Sequence, residues 1–407
     1  MTIAGPARQR LLANVRLIYI FQGLVNASLW MPIWIVFLNT DRHLPFGQIY
    51  LIAGIGWVVQ AMAEIPTGAL ADTYGRKVTL IVGGLTLSVG LIMLATLSGL
   101  GGLLIAYLFW AAGNAFISGT DTAMLYDSAA GAGVEDEFTG MASTSFQILL
   151  AAQAIGSISG SLLAAIDLRI PIVVTAALTL AATGVVFTMT EPPRQQQDST
   201  SIAHTLRTAT TFVRRHPRVF SLLTYTALLS GTAFFVPFVL FQPVMQDQGV
   251  AVGWLGVLFT GLRLAALAGS RYGPRLILTD NLVTWVWLMP ALMATGFIAV
   301  AVSHPWWLTF LAMIFLAAAN AAIRPALTTV LNRRVSGTVR ATVMSLQGLT
   351  MTVFIAALHP AVGAVADAFS PSGAFVFLAA TCFAPWLLTV PLRPIISKDR
   401  LVATVGD

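Results

Sequence analysis

Long continuous apolar stretches, with polar residues confined largely to the short gaps between them, dominate this chain. Each stretch is about 20 residues long, the length of helix needed to cross a ~30 Å hydrocarbon core. Inside lipid only helices and closed barrels satisfy their own backbone groups. The stretches here are continuous rather than alternating apolar and polar, which excludes a β-barrel. Composition removes the soluble alternative: 57% of residues are hydrophobic and only 9% are charged, against roughly a quarter charged in ordinary soluble domains. So few charges cannot cover the surface of a 407-residue soluble fold. The fold expected is an all-α integral membrane protein.

Twelve spans are expected, at roughly 14–38, 47–70, 78–99, 102–124, 140–165, 170–190, 218–246, 252–270, 282–302, 306–330, 341–366 and 373–393. An even number places both termini on one side. On that reading eighteen basic residues fall on the terminal side of the membrane. Only Arg42 and Arg169 fall opposite, while Arg263 and Arg324 lie within spans. The positive-inside rule then makes both termini cytoplasmic, in a multi-pass protein of the cell membrane. The net charge of +6 therefore reads as topology rather than as a nucleic-acid face. The first apolar run is long and has no small-residue cleavage site, so it reads as a span and not as a cleaved signal.

The longest gap, Glu191–Pro217, lies near the middle and divides the chain into 1–190, a cytoplasmic linker 191–217, and 218–407. Ile202, Leu206, Thr210 and Val213 share one face of the linker, with Arg207 and Arg214 on another. This is the pattern of an interfacial amphipathic helix.

The two halves match each other. Leu108–Ile117 in the fourth span aligns with Ile314–Ile323 in the tenth, setting Asn114 on Asn320, Thr122 on Thr328 and Leu125 on Leu331. Tyr74-Gly75-Arg76-Lys77 after the second span aligns with Tyr272-Gly273-Pro274-Arg275 after the eighth. Two parallel six-helix halves suit alternating access, in which similar bundles rock about a site near the midplane.

The loop after the second span reads Gly68-Ala69-Leu70-Ala71-Asp72-Thr73-Tyr74-Gly75-Arg76-Lys77. It resembles the G-x-L-x-D-x-x-G-R-K signature of the major facilitator superfamily at every defining position, and length, spans, central loop and repeat extend the resemblance along the chain. Gly68 would permit close helix approach, and Gly75 a turn with φ > 0. Asp72 would favour the N-terminal end of a neighbouring helix; the resemblance makes that neighbour the eleventh span, near Arg340. Arg76 would pair with a carboxylate at the end of the fourth span, where Asp121 and Asp127 lie, forming a latch that releases as the halves rock. The simpler alternative is a turn with inside-positive anchors.

Glu64-Ile65-Pro66-Thr67-Gly68 and Ser118–Ser128 resemble bacterial drug- and metabolite-exporter-like members. Two features depart from the drug-antiporter pattern. The fourth span has Asn114 where such proteins often carry an arginine, and Gly156–Ser161 in the fifth span lacks their proline.

Ionisable residues within spans cost roughly 2.5–3.5 kcal/mol on insertion scales and are functional candidates by default. Glu64 is a candidate proton carrier, as are Asp72 and Asp121; a structural hydrogen bond is the alternative for Glu64. Arg263 and Arg324 are candidates for substrate contact or gating, with snorkelling as the alternative for Arg324. In the family the first, fourth, seventh and tenth spans line the cavity. Their polar and aromatic residues include Gln22, Asn26, Trp30, Trp34, Asn114, Tyr225, Thr232, Phe235, Gln242 and Asn320. An aromatic cavity with few charges suits an amphiphilic or lipophilic substrate.

No phosphate-binding loop surrounds Lys77 or Lys398, so nucleotide-driven pumping by this chain is excluded. The five histidines form no zinc motif, no nucleophile turn occurs, and Cys382 is the only cysteine. An enzyme is not expected, nor a metal or organic cofactor; the proton gradient would be the energy source. The expectation is a monomeric secondary active transporter with a small molecule, protons and the bilayer as its partners. Proton-coupled efflux is the leading reading and proton-coupled uptake of a sugar or organic acid the alternative.

Overall fold

A computed structural model describes residues 5–193, 211, 216–277, 281–335 and 337–396. The expected amphipathic linker helix lies outside them. The described chain is helical throughout. The first half contains α1 (Pro6–Asn26), α2 (Phe46–Tyr74), α3 (Arg76–Thr96), α4 (Gly99–Ile117), α5 (Thr120–Gly131), α6 (Phe138–Ala164) and α7 (Ile170–Thr188). The second contains α8 (Pro217–Phe235), α9 (Phe241–Asp247), α10 (Val252–Leu276), α11 (Leu282–Val302), α12 (Trp306–Arg334), α13 (Gly337–Ala368), α14 (Gly373–Thr381), α15 (Phe383–Leu387) and α16 (Thr389–Ile396).

Among the described residues, ten helical segments are long and apolar enough to cross a membrane. The shortfall from twelve has a local cause at each end of the chain. Helix α1 spans 21 residues but carries Arg8, Arg10, Asn14, Arg16, Gln22 and Asn26, which lower its hydropathy. The last apolar stretch, Gly373–Leu387, is divided near Cys382. Helix α1 also stops earlier than its apolar run implies. The chain leaves the helix at Ala27, before Pro32, and resumes at Trp34–Val36 and a π-helical turn, Phe37–Asp41. A second π turn, Val236–Leu240, follows α8 and contains Pro237. Proline removes a backbone donor and forces such local rewinding.

The chain divides into two compact units. One consists of Met1–Leu44, Ile55–Asp198 and Ala251–Val257, the other of Pro45–Gly54, Ser199–Val250 and Leu258–Asp407. Helices α2 and α10 thus each contribute their first turns to the unit that does not hold the rest of them. In the second unit the start of α2 is fixed by Asp367, whose carboxylate accepts the backbone N–H groups of Phe46 and Gly47, both at 2.8 Å. A carboxylate on a helix N-terminus is favoured by both the free donors and the dipole. In the first unit the start of α10 is held by Ser161, which donates to the Gly253 carbonyl at 3.0 Å.

The helix pairings recur. In the first unit α3 packs on α4 and α7, and α1 on α6 and α5; in the second α11 packs on α12 and α14, and α8 on α13 and α12. Small residues make the closest of these contacts, as in membranes, where association depends on van der Waals fit. A Cβ on Gly90 would lie 2.6 Å from the Trp110 backbone nitrogen, so α3 and α4 approach this closely only with glycine there.

Candidate functional site

The signature loop is a sharp turn tied down by three acidic side chains. Helix α2 ends at Tyr74, Gly75 adopts φ +106°, and α3 begins at Arg76. Glu191, just beyond α7, accepts the backbone N–H groups of Arg76 and Lys77 at 2.7 and 2.8 Å. Any side chain at Gly75 would lie 2.7 Å from that carboxylate, so glycine is required by both the turn and the cap. Lys77 Nζ donates to the Phe187 and Met189 carbonyls, each at 2.8 Å, where the end of α7 leaves acceptors unpaired. Arg76 bridges Asp72 at 2.8 Å and Asp127 on α5 at 3.2 Å. The Asp72 side chain is 69% exposed and that of Asp127 only 17%, so the Asp127 contact is screened less by solvent.

Two expectations for this loop change. Gly68 has no atom within 4 Å of where a Cβ would stand, so close helix approach is not its role in this conformation. Leu70 beside it is exposed. Of the two acids at the end of the fourth span, Asp127 meets Arg76 and Asp121 has different neighbours.

Asp121 stands in the first turn of α5, just after the helix break at Gly119, whose φ is +77°. Its carboxylate accepts Gln22 Nε2 at 2.6 Å, and the Thr122 backbone N–H and hydroxyl at 2.6 and 3.2 Å. Asn26 donates to Gln22 Oε1 at 2.7 Å. An ordered chain therefore runs from Asn26 through Gln22 to Asp121. The described residues form no ion pair with Asp121.

This carboxylate faces a cavity of about 420 Å³ within the first unit. Asn26, Trp30, Gln60, Trp110 and Asn114 also line it, and Asp121 is the one charged residue among its described lining. Trp30 meets Trp110 edge-to-face at 5.8 Å, and Tyr107 stands behind them, 5.0 Å from Trp110 and 6.0 Å from Trp34. Trp30 is buried, and Trp110 is the partly exposed ring of the pair. Asn114 donates to the Trp110 carbonyl at 2.8 Å. Glu64 is exposed on α2 and hydrogen-bonds Gln60 of the lining.

Second-half candidates are not gathered in this way. Tyr225 and Phe235 are fully buried and pack the second unit; Tyr225 donates its hydroxyl to the Val286 carbonyl at 2.8 Å. Trp34 is likewise buried and, unlike Trp30, is not among the residues lining the first-unit cavity. Ser230 donates to Asn320 at 3.2 Å. Arg263 lies 5.6 Å over the Phe238 ring, and Arg324 is exposed on α12. Sequence reading missed Trp110, Gln60 and Glu191. The signal for Glu191 was its place immediately after a span, and that for Trp110 its position one turn before Asn114.

With the turn, the cap and the cavity in place, sequence and structure comparisons decide the family. The family model described as Major Facilitator Superfamily matches residues 16–293. The chain belongs to that superfamily. A search of curated proteins finds no match. Among solved structures, a crystal structure of a variant of the nucleoside transporter NupG is similar, with a TM-score of 0.77 at 14% identity, covering 95% of this chain and 100% of that one. A bacterial homologue of the human lysosomal transporter Spinster, inward-facing and unoccupied, gives 0.71 at 16% identity, covering 97% of each chain. At such identities the likeness establishes the transporter fold. The chain is a multi-pass membrane transporter, and the family and its structural neighbours point away from an enzyme.

Proposed function

We propose that this major facilitator protein is a proton-coupled secondary transporter that exports a small lipophilic or amphiphilic compound by alternating access. Twelve spans, with α1 and the Gly373–Leu387 stretch completing the set, would place both termini and the Gly75 turn on the cytoplasmic side of the cell membrane. The observation that carries the reading is the cavity: an indole-walled space with one carboxylate, Asp121, that has no cationic partner among the described residues. A carboxylate at a membrane-spanning position is costly without a compensating charge, so it favours taking up a proton or a ligand. The Arg76 cluster would act as the latch that holds one conformation.

The energetics suffice. For an uncharged compound, one proton entering at ~100 mV supplies about 2.3 kcal/mol, which sustains a gradient of roughly fifty-fold at ~1.4 kcal/mol per tenfold; exchange of one proton for one monovalent cation moves no net charge and draws on the pH difference alone. Uptake of a neutral polar nutrient is the second reading, favoured by the amides of Asn26, Gln60 and Asn114 in the lining and by the likeness to a nucleoside transporter. An organic acid fits less well, since no cationic side chain is among the described lining residues. The test is reconstitution in vesicles with an imposed proton gradient and a screen for compound-dependent proton flux. Compound moving against the proton supports export; compound accumulating with it overturns export in favour of uptake.

A further inference from the structure

We infer that the first-unit cavity selects monovalent organic cations carrying an aromatic or bulky apolar group, and that such a cation and a proton occupy Asp121 in exchange. This rests on the proposed transport function and adds the substrate's charge class.

Three observations converge. The described lining residues include one carboxylate and no lysine, arginine or histidine, so the formal charge they place in the cavity favours a cation. The carboxylate is oriented by donors from Gln22 and Thr122, and these neutral groups hold it without neutralising it. Trp110, partly exposed and braced by the buried Trp30, lines the same cavity as that oxygen, and a tryptophan ring attracts cations beyond its apolar contact. A dicationic ligand would leave one charge uncompensated in a space with a single anion. The volume, about 420 Å³, lies in the range of small-molecule sites, roughly 300–1,000 Å³.

The exchange balances. When the carboxyl is protonated, an arriving cation displaces its proton to water and leaves a carboxylate–cation pair. When the cation departs, a proton returns. Net charge in the site stays the same in both states, so neither leaves an unpaired charge at this position.

The purified full chain can be titrated with three probes: benzyltrimethylammonium, its neutral carbon isostere neopentylbenzene, and the anion phenylacetate, with tryptophan fluorescence and calorimetry as readouts. The expected result is cation binding at least ~10-fold tighter than the isostere, a difference of ~1.4 kcal/mol, with the anion weakest. Cation affinity should fall as pH is lowered through the titration of the carboxyl, while isostere affinity stays flat. Asp121→Asn should abolish both the preference and the pH dependence, and Asp121→Glu should retain part of each. Should Asp121→Asn fail to fold, the wild-type pH series alone decides. Equal binding of cation and isostere, no cation binding up to millimolar concentration, or a preference unchanged in Asp121→Asn would overturn the inference. Proton-coupled transport of a neutral amphiphile alongside such a result would leave the proposed function standing and remove only the cation selectivity.

Discussion

The two halves repeat one set of helix pairings and differ in where they put charge. Extending the register that sets Asn114 on Asn320 places Asp121 opposite Leu327 and Asp127 opposite Arg333. The register that sets Tyr74 on Tyr272 places Asp72 opposite Ser270 and Arg76 opposite Pro274. In the first half α2 stops at Tyr74, and the turn is held by Glu191, Asp72 and Asp127. In the second, Gly273 and Pro274 are still inside α10, which runs on to Leu276. Leu327 is 1% exposed, a packing residue where its counterpart is a cavity carboxylate. The repeated scaffold places the helices alike, and among the described residues the tied acidic turn and the Asp121 cavity lie in the first half.

Making the halves alike should be costly. Leu327→Asp would bury a carboxylate in the second unit without the donors that Gln22 and Thr122 give Asp121. It should destabilise by roughly 2.5–3.5 kcal/mol, read as lowered thermal stability of the purified protein. A stable Leu327→Asp variant would mean that the second half tolerates charge as the first does. Gly75→Ala attacks the turn that only the first half has. A residue forced to φ +106° costs about 1–3 kcal/mol, and its methyl group meets Glu191 as well. Combining it with Glu191→Ala should therefore cost less than the sum of the two, because the steric part is shared.

Glu191→Gln keeps an acceptor for one backbone N–H and loses the charge. It should cost about 1 kcal/mol, the scale of a helix cap, seen as a modest fall in melting temperature. Asp72→Asn should do least, at most about 0.5–1 kcal/mol, because an exposed pair is largely screened. If thermal denaturation ranks Asp72→Asn above Glu191→Gln, the anchor of the turn has been misassigned.

Much of this was legible in the sequence because lipid imposes strong patterns. Span length follows from the solvent, and it foretold a helical, multi-pass membrane protein. The complete Gly68–Lys77 signature located the turn, and the polar and aromatic residues of the first and fourth spans pointed to Asn26, Trp30 and Asn114. Asp121 reads from the sequence as a latch or proton-coupling carboxylate and not as a cavity residue. What sequence could not rank was which of several equivalent-looking residues a helix presents to which neighbour. Asp121 and Asp127 are less than two turns apart, yet one lines a cavity and the other meets Arg76. Trp30 and Trp34 sit one turn apart in the same expected cavity region, yet the first lines the cavity and the second does not. Glu191 reads as the first polar residue of a linker, and only the fold brings it more than a hundred residues back to cap α3.

The central claim is that Asp121 is where proton and substrate meet, and proton flux tests it most directly. Wild-type protein and Asp121→Asn would be reconstituted at equal density in vesicles with an imposed proton gradient, and benzyltrimethylammonium-dependent proton movement recorded. The account predicts flux in the wild type and a loss of about 100-fold or more in Asp121→Asn, the scale of removing a positioned proton-transfer group. Undiminished coupled flux in Asp121→Asn would contradict it.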